Sequence, residues 1–166
     1  IEGRHADPNV FVQMDTYAVK GLQTGQIQFL YAPTHLNPTY EYGVTFERGT
    51  AVTYGDRKQI FISGTASIDN QGEIMYPGDI LKQTERMLEN IDTLLQEAGG
   101  GLQDIMQAIV YLRDPADYVV VKQYIESRYP SFLHLIVHAP VCRPGWLIET
   151  ECIAVIPADA PQYAYL

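Results

Sequence analysis

Two carboxylates and one arginine near the end of the chain have the clearest capacity for chemistry. Pro144 fixes its own φ and predicts a turn that carries Arg143, and residues 147–156 predict the strand that follows. Side chains alternate between the faces of a strand, so Glu149 and Glu151 share one face that is otherwise apolar. Because burying an unpaired carboxylate is costly, that face requires water, a cation or a ligand. Two interpretations stay open: an outer strand with solvated glutamates, or a cleft that binds a small polar substrate.

Two predicted helices must help to position these side chains. Asp79 predicts the N-cap of the first helix, whose apolar residues recur at helical spacing between Ile80 and Ala98. Asp114 predicts the cap of the second helix, which ends before Pro130. Both helices are amphipathic, so each needs an apolar surface to cover.

The strands are predicted from apolar runs bounded by turns. Val44–Val52 and Gln59–Ser63 predict a hairpin that Gly64 ends, and Asp104–Leu112 and Phe132–His138 predict further strands. The order from the hairpin onward is β-β-α-β-α-β-β, which predicts an α+β fold with two helices on one face of a mixed sheet. The other face is too apolar to meet water, so we expect an oligomer with a ligand cleft near the subunit contact.

Composition and charge exclude several classes of function. The 166-residue chain has a formal net charge of −9, so we expect no nucleic-acid partner. No run is apolar and long enough to span a membrane, so we expect no membrane association and a cytoplasmic location. The two cysteines, Cys142 and Cys152, predict neither a disulfide framework nor a metal site, and His134 and His138 lack metal-binding spacing. We therefore expect no metal and no cofactor.

The chain divides into four predicted parts. The first four residues, IEGR, match a protease cleavage sequence of expression vectors, so we expect residues 1–8 to be a tag or disordered. Residues 9–45 contain several glycines and prolines and are predicted to be an N-terminal extension or linker. Residues 46–157 form the predicted domain, and residues 158–166 form a C-terminal tail.

Several separate motifs occur in a fixed order along the chain: Ile60–Ala66, Gly78-Asp79, Gln83-Thr84, Asn90-Ile91, Ala108–Asp114 and Ile148–Ala154. Together they resemble the YjgF/Rid (endoribonuclease L-PSP) family. The resemblance implies a chorismate-mutase-like α+β fold and a homotrimer with clefts between subunits. It also implies hydrolysis of reactive enamine or imine intermediates to 2-oxo acids and ammonia.

The functional residues of this family transfer only in part. The resemblance places His134 where imine-hydrolysing members carry the arginine that binds the substrate carboxylate. It places Phe46 at the position of a family tyrosine and Ile136 at that of a family cysteine. The family glutamate is retained as Glu149, and Arg143 is the alternative carboxylate ligand.

About residues 26–154, including Cys142-Arg143 and Leu147-Ile148-Glu149, carry a second, looser resemblance. It is to the C-terminal half of chorismatase-type enzymes. These enzymes hydrolyse the enolpyruvyl ether of chorismate. The resemblance implies Glu149 or Glu151 as the proton donor and Arg143 as the carboxylate anchor.

Three hypotheses about function follow, all with a small anionic metabolite as partner. The first is an enamine/imine deaminase in which Glu149 positions water and Arg143 or His134 binds the carboxylate. The second is a chorismatase-like hydrolase, and the third is a non-catalytic metabolite-binding trimer. The predicted catalytic residues are Glu149 and Arg143, and the predicted substrate-binding residues are His134, Glu151, Phe46, Ser63, Gly64 and Trp146.

Overall fold

The computed structural model describes residues 6–165, so the start of the predicted tag lies outside the described residues. The described chain forms an α+β fold with a mixed sheet and two α-helices, as predicted. In chain order the elements are β1 (Ile27–Leu30), β2 (Gly49–Thr53), β3 (Arg57–Ala66), α1 (Ile80–Glu97), β4 (Ile105–Leu112), α2 (Tyr118–Arg128), β5 (His134–His138) and β6 (Ile148–Pro157).

The strands form one sheet in the order β1-β2-β3-β6-β4-β5. The pair β4–β5 is parallel, and the other neighbouring pairs are antiparallel. The last strand in the sequence, β6, is therefore an interior strand between β3 and β4. Glu149 on β6 pairs with Ala66 on one side and with Tyr111 on the other. This register brings side chains from three strands together on one face of the sheet.

The helices cover the opposite face and form the hydrophobic core with it. In α1 the Asp79 side chain accepts a hydrogen bond from the Lys82 amide, which confirms the predicted N-cap. Asp114 accepts from the Ala116 amide, but a short 3-10 turn precedes α2, so this helix begins later than predicted. Residues of the core with no measurable exposure include Leu30, Ile60, Met87, Ile91, Leu94, Leu95, Val110, Val121, Ile125 and Ile148.

Two strand boundaries differ from the prediction by more than two residues, the start of β2 and the end of β3, and both lie beside the cleft described below. The strand predicted from Val44 begins only at Gly49, because the preceding segment is fixed by a loop contact in which Thr39 Oγ1 donates to the Phe46 carbonyl oxygen. Gly64 does not end β3, which continues to Ala66. The register between β3 and β6 shifts after Ile62, as expected for a β-bulge.

The segment before β2 contributes an edge strand to this sheet. β1 lies within the predicted N-terminal extension and pairs antiparallel with β2, while the ring of Tyr17 lies 5.7 Å from that of Phe61. The predicted division of the chain into four parts stays a prediction. No helix among residues 6–165 is long and apolar enough to cross a membrane.

Candidate functional site

A cleft of about 530 Å³ lies where the loop before β2, the β3 bulge and the turn before β6 meet. Clefts of about 300–1,000 Å³ with few polar groups are typical of small-molecule sites. The cleft brings together seven of the eight residues that the sequence selected: Arg143, Glu149, Glu151, Phe46, Ser63, Gly64 and Trp146.

His134 is the eighth of these residues, and the structure places it outside the cleft. It begins β5 and pairs with Ala108 of β4, which is buried beneath the helices. Paired positions point their side chains to the same face of a sheet, so His134 lies on the helix-covered face and Glu149 on the other. Its Nδ1 lies 2.8 Å from the Phe132 carbonyl oxygen, where it can donate a hydrogen bond. Within one chain, His134 therefore does not reach the substrate-sized space.

Glu149 occupies a close-fitting position against the β3 bulge. Its side chain is only 6% exposed, and a Cβ atom at Gly64 would lie 2.1 Å from Glu149 Oε1, so only glycine leaves room for the carboxyl group. Glu149 Oε2 is buried and has no hydrogen-bond partner among the described residues. Burial raises the pKa of this carboxyl, and the negative charge of Glu151 raises it further. The carboxyl group is thus suited to hold a proton and to deliver it.

Glu151 lies two residues farther along the same face of β6. Burial raises the pKa of Tyr111 on β4, and so do a hydrogen bond to Glu151 and the charges of Glu151 and Glu149. The Tyr111 hydroxyl therefore stays protonated and donates to the Glu151 carboxylate. Tyr111 was not selected from the sequence, although its place on an adjacent strand, in register with Glu149, is a signal that pairing reveals.

Arg143 and Trp146 form the wall supplied by the turn before β6. The guanidinium carbon of Arg143 lies 5.4 Å from the centroid of the Trp146 ring, within cation–π distance. Trp146 Nε1 is buried and has no partner among the described residues. A buried indole N–H is usually hydrogen-bonded, so this donor is suited to a polar group of a ligand.

Arg48, the residue just before β2, lines the cleft and is only 5% exposed. Its Nη2 donates to the carbonyl oxygen of Asn37 at 2.9 Å and to its side-chain Oδ1 at 3.0 Å. Its guanidinium carbon lies 5.3 Å from the Phe46 ring centroid. The sequence did not distinguish Arg48 from a surface arginine, because its contacts depend on a loop that shows no regular pattern.

The chemical capacity of the cleft follows from these groups. It combines arginines that can bind an anion, a buried carboxyl group that can exchange a proton, and apolar walls. Among residues 6–165, no group of three or more His, Cys, Asp or Glu side chains is arranged to hold a metal ion.

Comparisons with known proteins agree with the fold and with the motifs. The family model described as Endoribonuclease L-PSP matches residues 49–156. The 3-aminoacrylate deaminase RutC of Acinetobacter baylyi is 31% identical over 97 residues, which are 57% of this chain and 77% of that protein. A RutC family protein of Pyrococcus abyssi is 35% identical over 97 residues, which are 57% of this chain and 76% of that protein. The structure of E. coli TdcF with bound serine has a TM-score of 0.63 and 21% identity, over 78% of this chain and 98% of that one. As its motifs predicted, the chain belongs to the Endoribonuclease L-PSP family, which is the YjgF/Rid family.

Proposed function

We propose that this protein is a hydrolase that converts an enamine or imine of a 2-oxo acid into the 2-oxo acid and ammonia. The observation that carries the proposal is the buried Glu149 carboxyl group, which has a raised pKa and shares the cleft with Arg143. A relative with 31% identity is named a 3-aminoacrylate deaminase, and a solved structure of the same fold holds serine. Both names support a substrate of amino-acid size and chemistry.

In the proposed reaction Glu149 acts first as an acid and then as a base. The protonated carboxyl donates its proton to the terminal carbon of a 2-aminoacrylate, and the enamine becomes an iminium ion. Water then adds to the iminium carbon while the Glu149 carboxylate takes a proton from it. The resulting carbinolamine expels ammonia and leaves the 2-oxo acid. With an imine substrate, the protonation of carbon is already complete, and Glu149 positions and deprotonates the water.

Arg143 is the proposed ligand of the substrate carboxylate. A guanidinium group binds a carboxylate through two parallel hydrogen bonds, which fixes the orientation of the reacting carbon. The Trp146 ring packs against the Arg143 guanidinium group and provides a flat wall for the substrate.

The size of the cleft favours a second candidate, hydrolysis of an enolpyruvyl ether. A cleft of about 530 Å³ is much larger than a three-carbon aminoacrylate. An enol ether next to a carboxylate reacts through the same steps, since protonation of its terminal carbon by Glu149 gives an oxocarbenium ion that water attacks. An alcohol then leaves in place of ammonia. The bulky alcohol part of such a substrate would fill the space between Phe46 and Trp146.

We also propose that the protein is a homotrimer that associates through the open face of the sheet. This face carries Phe61, Ile109 and Ile153 around a second cavity of about 210 Å³, and Leu135 on β5 is 62% exposed. Apolar surface of this kind is typical of subunit contacts. Sedimentation equilibrium is expected to give three times the chain mass of 18.7 kDa, and a monomer at every concentration would contradict this proposal.

Ammonia release from freshly generated 2-iminobutanoate tests the proposed function. The parent protein is expected to accelerate release above the spontaneous rate, and Glu149→Ala is expected to abolish the acceleration. Glu126→Ala, a change of an exposed glutamate on α2, is the matched control and should behave as the parent. If the folded parent releases no ammonia but forms pyruvate from chorismate, the enol ether is the substrate. Binding of either compound without turnover would contradict the proposed hydrolase and support the third hypothesis, a non-catalytic metabolite-binding protein.

A further inference from the structure

The turn that carries Arg143 and Trp146 is held by an arginine that does not line the cleft. Arg113, directly after β4, donates from Nε to the carbonyl oxygen of Trp146 at 2.7 Å. Its Nη2 donates to the carbonyl oxygens of Val141 at 2.6 Å and of Arg143 at 2.7 Å. One guanidinium group thus binds three backbone carbonyls of a single turn. Hydrogen bonds from a charged donor are roughly twice as strong as neutral ones, so this contact fixes the turn firmly.

The side chain of Gln83, on α1, holds the same turn. Gln83 lies in the first part of α1 and is fully buried. Its Nε2 donates to the Gly145 carbonyl oxygen at 3.0 Å, and its Oε1 accepts from the Leu147 amide at 3.0 Å. Gly145 also packs closely on Ile74, which lies 2.7 Å from where a Cβ would stand. The backbone of the turn is therefore fixed by side chains from two separate elements.

We propose that Arg113 and Gln83 are positioning residues that hold Arg143 and Trp146 in the geometry required for substrate. This inference rests on the proposed function of Arg143 as the carboxylate ligand. Neither residue lines the cleft, so each acts only through the turn. A displacement of about 1 Å at a binding group can reduce catalysis about 100-fold. Arg113 and Gln83 are called the clamp below. The clamp is not expected to affect Glu149, because the carboxyl group of Glu149 packs against Gly64 on β3.

The fluorescence of Trp146 tests the clamp without any substrate. Trp146 is the single tryptophan of the chain, so emission excited at wavelengths that the 12 tyrosines do not absorb reports this turn alone. In Arg113→Lys the shorter reach and lost donors should free the turn, giving a red-shifted emission and stronger quenching by acrylamide, with an unchanged far-ultraviolet circular dichroism spectrum. Gln83→Met should change the emission in the same direction. Arg128→Lys on α2 is the matched control and should leave Trp146 unchanged.

Kinetics then test whether the clamp acts through Arg143. Arg113→Lys should lower kcat/KM at least about tenfold, mainly through KM, with the same pH dependence as the parent, since loss of uniform binding raises KM. In an Arg143→Ala background the same change should have a much smaller effect, because only Trp146 is then left for the turn to position. Unchanged Trp146 emission in both clamp variants, or an equal loss with and without Arg143, would overturn the proposal. If the parent turns over neither substrate, the proposed function fails, and the emission data alone decide whether the clamp holds the turn.

Discussion

The substitution Gly64→Ala tests whether activity depends on the position of the Glu149 carboxyl group, which packs against Gly64. A Cβ at this position would lie 2.1 Å from Oε1 and 3.1 Å from the carboxyl carbon. Ordinary van der Waals contact begins near 3.4 Å, so the carboxyl oxygen must move by about 1.3 Å. The backbone itself accepts alanine, because Gly64 does not have a positive φ. The strain therefore falls on the Glu149 side chain.

The expected effect on activity is much larger than the effect on stability. A displacement of about 1 Å in a reacting group can cost about 100-fold in rate, so kcat should fall by about that factor. An off-rotamer side chain costs about 0.5–1.5 kcal/mol, and a tolerated Gly-to-Ala change stabilises by about 0.4–1 kcal/mol. These terms oppose each other, so the melting temperature should stay within roughly 2–4 °C of the parent.

Steady-state hydrolysis of 2-iminobutanoate, or of the enolpyruvyl ether if that is the substrate, measures the effect. Gly101→Ala is the matched control, because its Cβ would meet the flexible end of the exposed Gln103 at 2.7 Å, far from the cleft lining. In a Glu149→Ala background, where no activity remains to be measured, Gly64→Ala should not lower the melting temperature, since the Cβ then has no carboxyl group to displace. A Gly64→Ala enzyme with kcat within twofold of the parent would refute the reasoning.

Three further predictions concern stability and binding. Glu149→Gln should raise the melting temperature at pH 7. Burial raises the pKa of this carboxyl above its ordinary value of 4.5, so charging it weakens the folded state as pH rises, and scanning fluorimetry should show the gain at pH 7 and not at pH 4. Arg143→Lys should raise KM about tenfold at similar kcat, with Arg128→Lys unchanged, because one charge-assisted hydrogen bond is worth about 1.5 kcal/mol or more. Leu94→Ala, at a fully buried core position, should cost about 2–5 kcal/mol in urea unfolding, and a loss below about 1 kcal/mol would contradict this view of the core.

Much of the fold was predictable because local signals and packing agree. Asp79 caps α1 as its residue type predicts, and the even-numbered residues of β6 face the helices as alternation predicts. The prediction failed at the strand expected from Val44, where β-branched and aromatic residues line a cleft instead of pairing in the sheet. Apolar residues predict burial or contact, and they do not by themselves tell a strand from a cleft wall.

The sequence predicted those parts of the candidate site that depend on a single strand or turn. Alternation along β6 placed Glu149 and Glu151 on one face, and Pro144 placed Arg143 on a turn. His134 was predicted from the family resemblance, and the parallel register of β5 shows that it lies on the other face.

The two positioning residues, to which the sequence assigned no role, act across large separations in the chain. Arg113 contacts carbonyls 28 to 33 residues away, and Gln83 contacts Gly145 at a separation of 62 residues. No local pattern encodes such contacts, because they depend on where α1 begins and β4 ends in space. Sequence reasoning therefore finds reacting side chains more readily than the side chains that hold them.

Arg143 reaches the cleft from the turn before β6 and not from β5. The resemblance implies an arginine at the start of β5, whereas here that position is His134 on the helix-covered face, and Arg143 lines the cleft from the turn. Arg113 and Gln83 bind only backbone atoms of the turn, so its shape does not depend on which side chain stands at position 143. A turn whose backbone is fixed and that tolerates different side chains at position 143 can supply the carboxylate ligand, while the position of Glu149 stays unchanged. In the proposed reaction the acid on β6 and the anion-binding group are separate parts of the site, so a substitution at position 143 is expected to change substrate binding without moving Glu149.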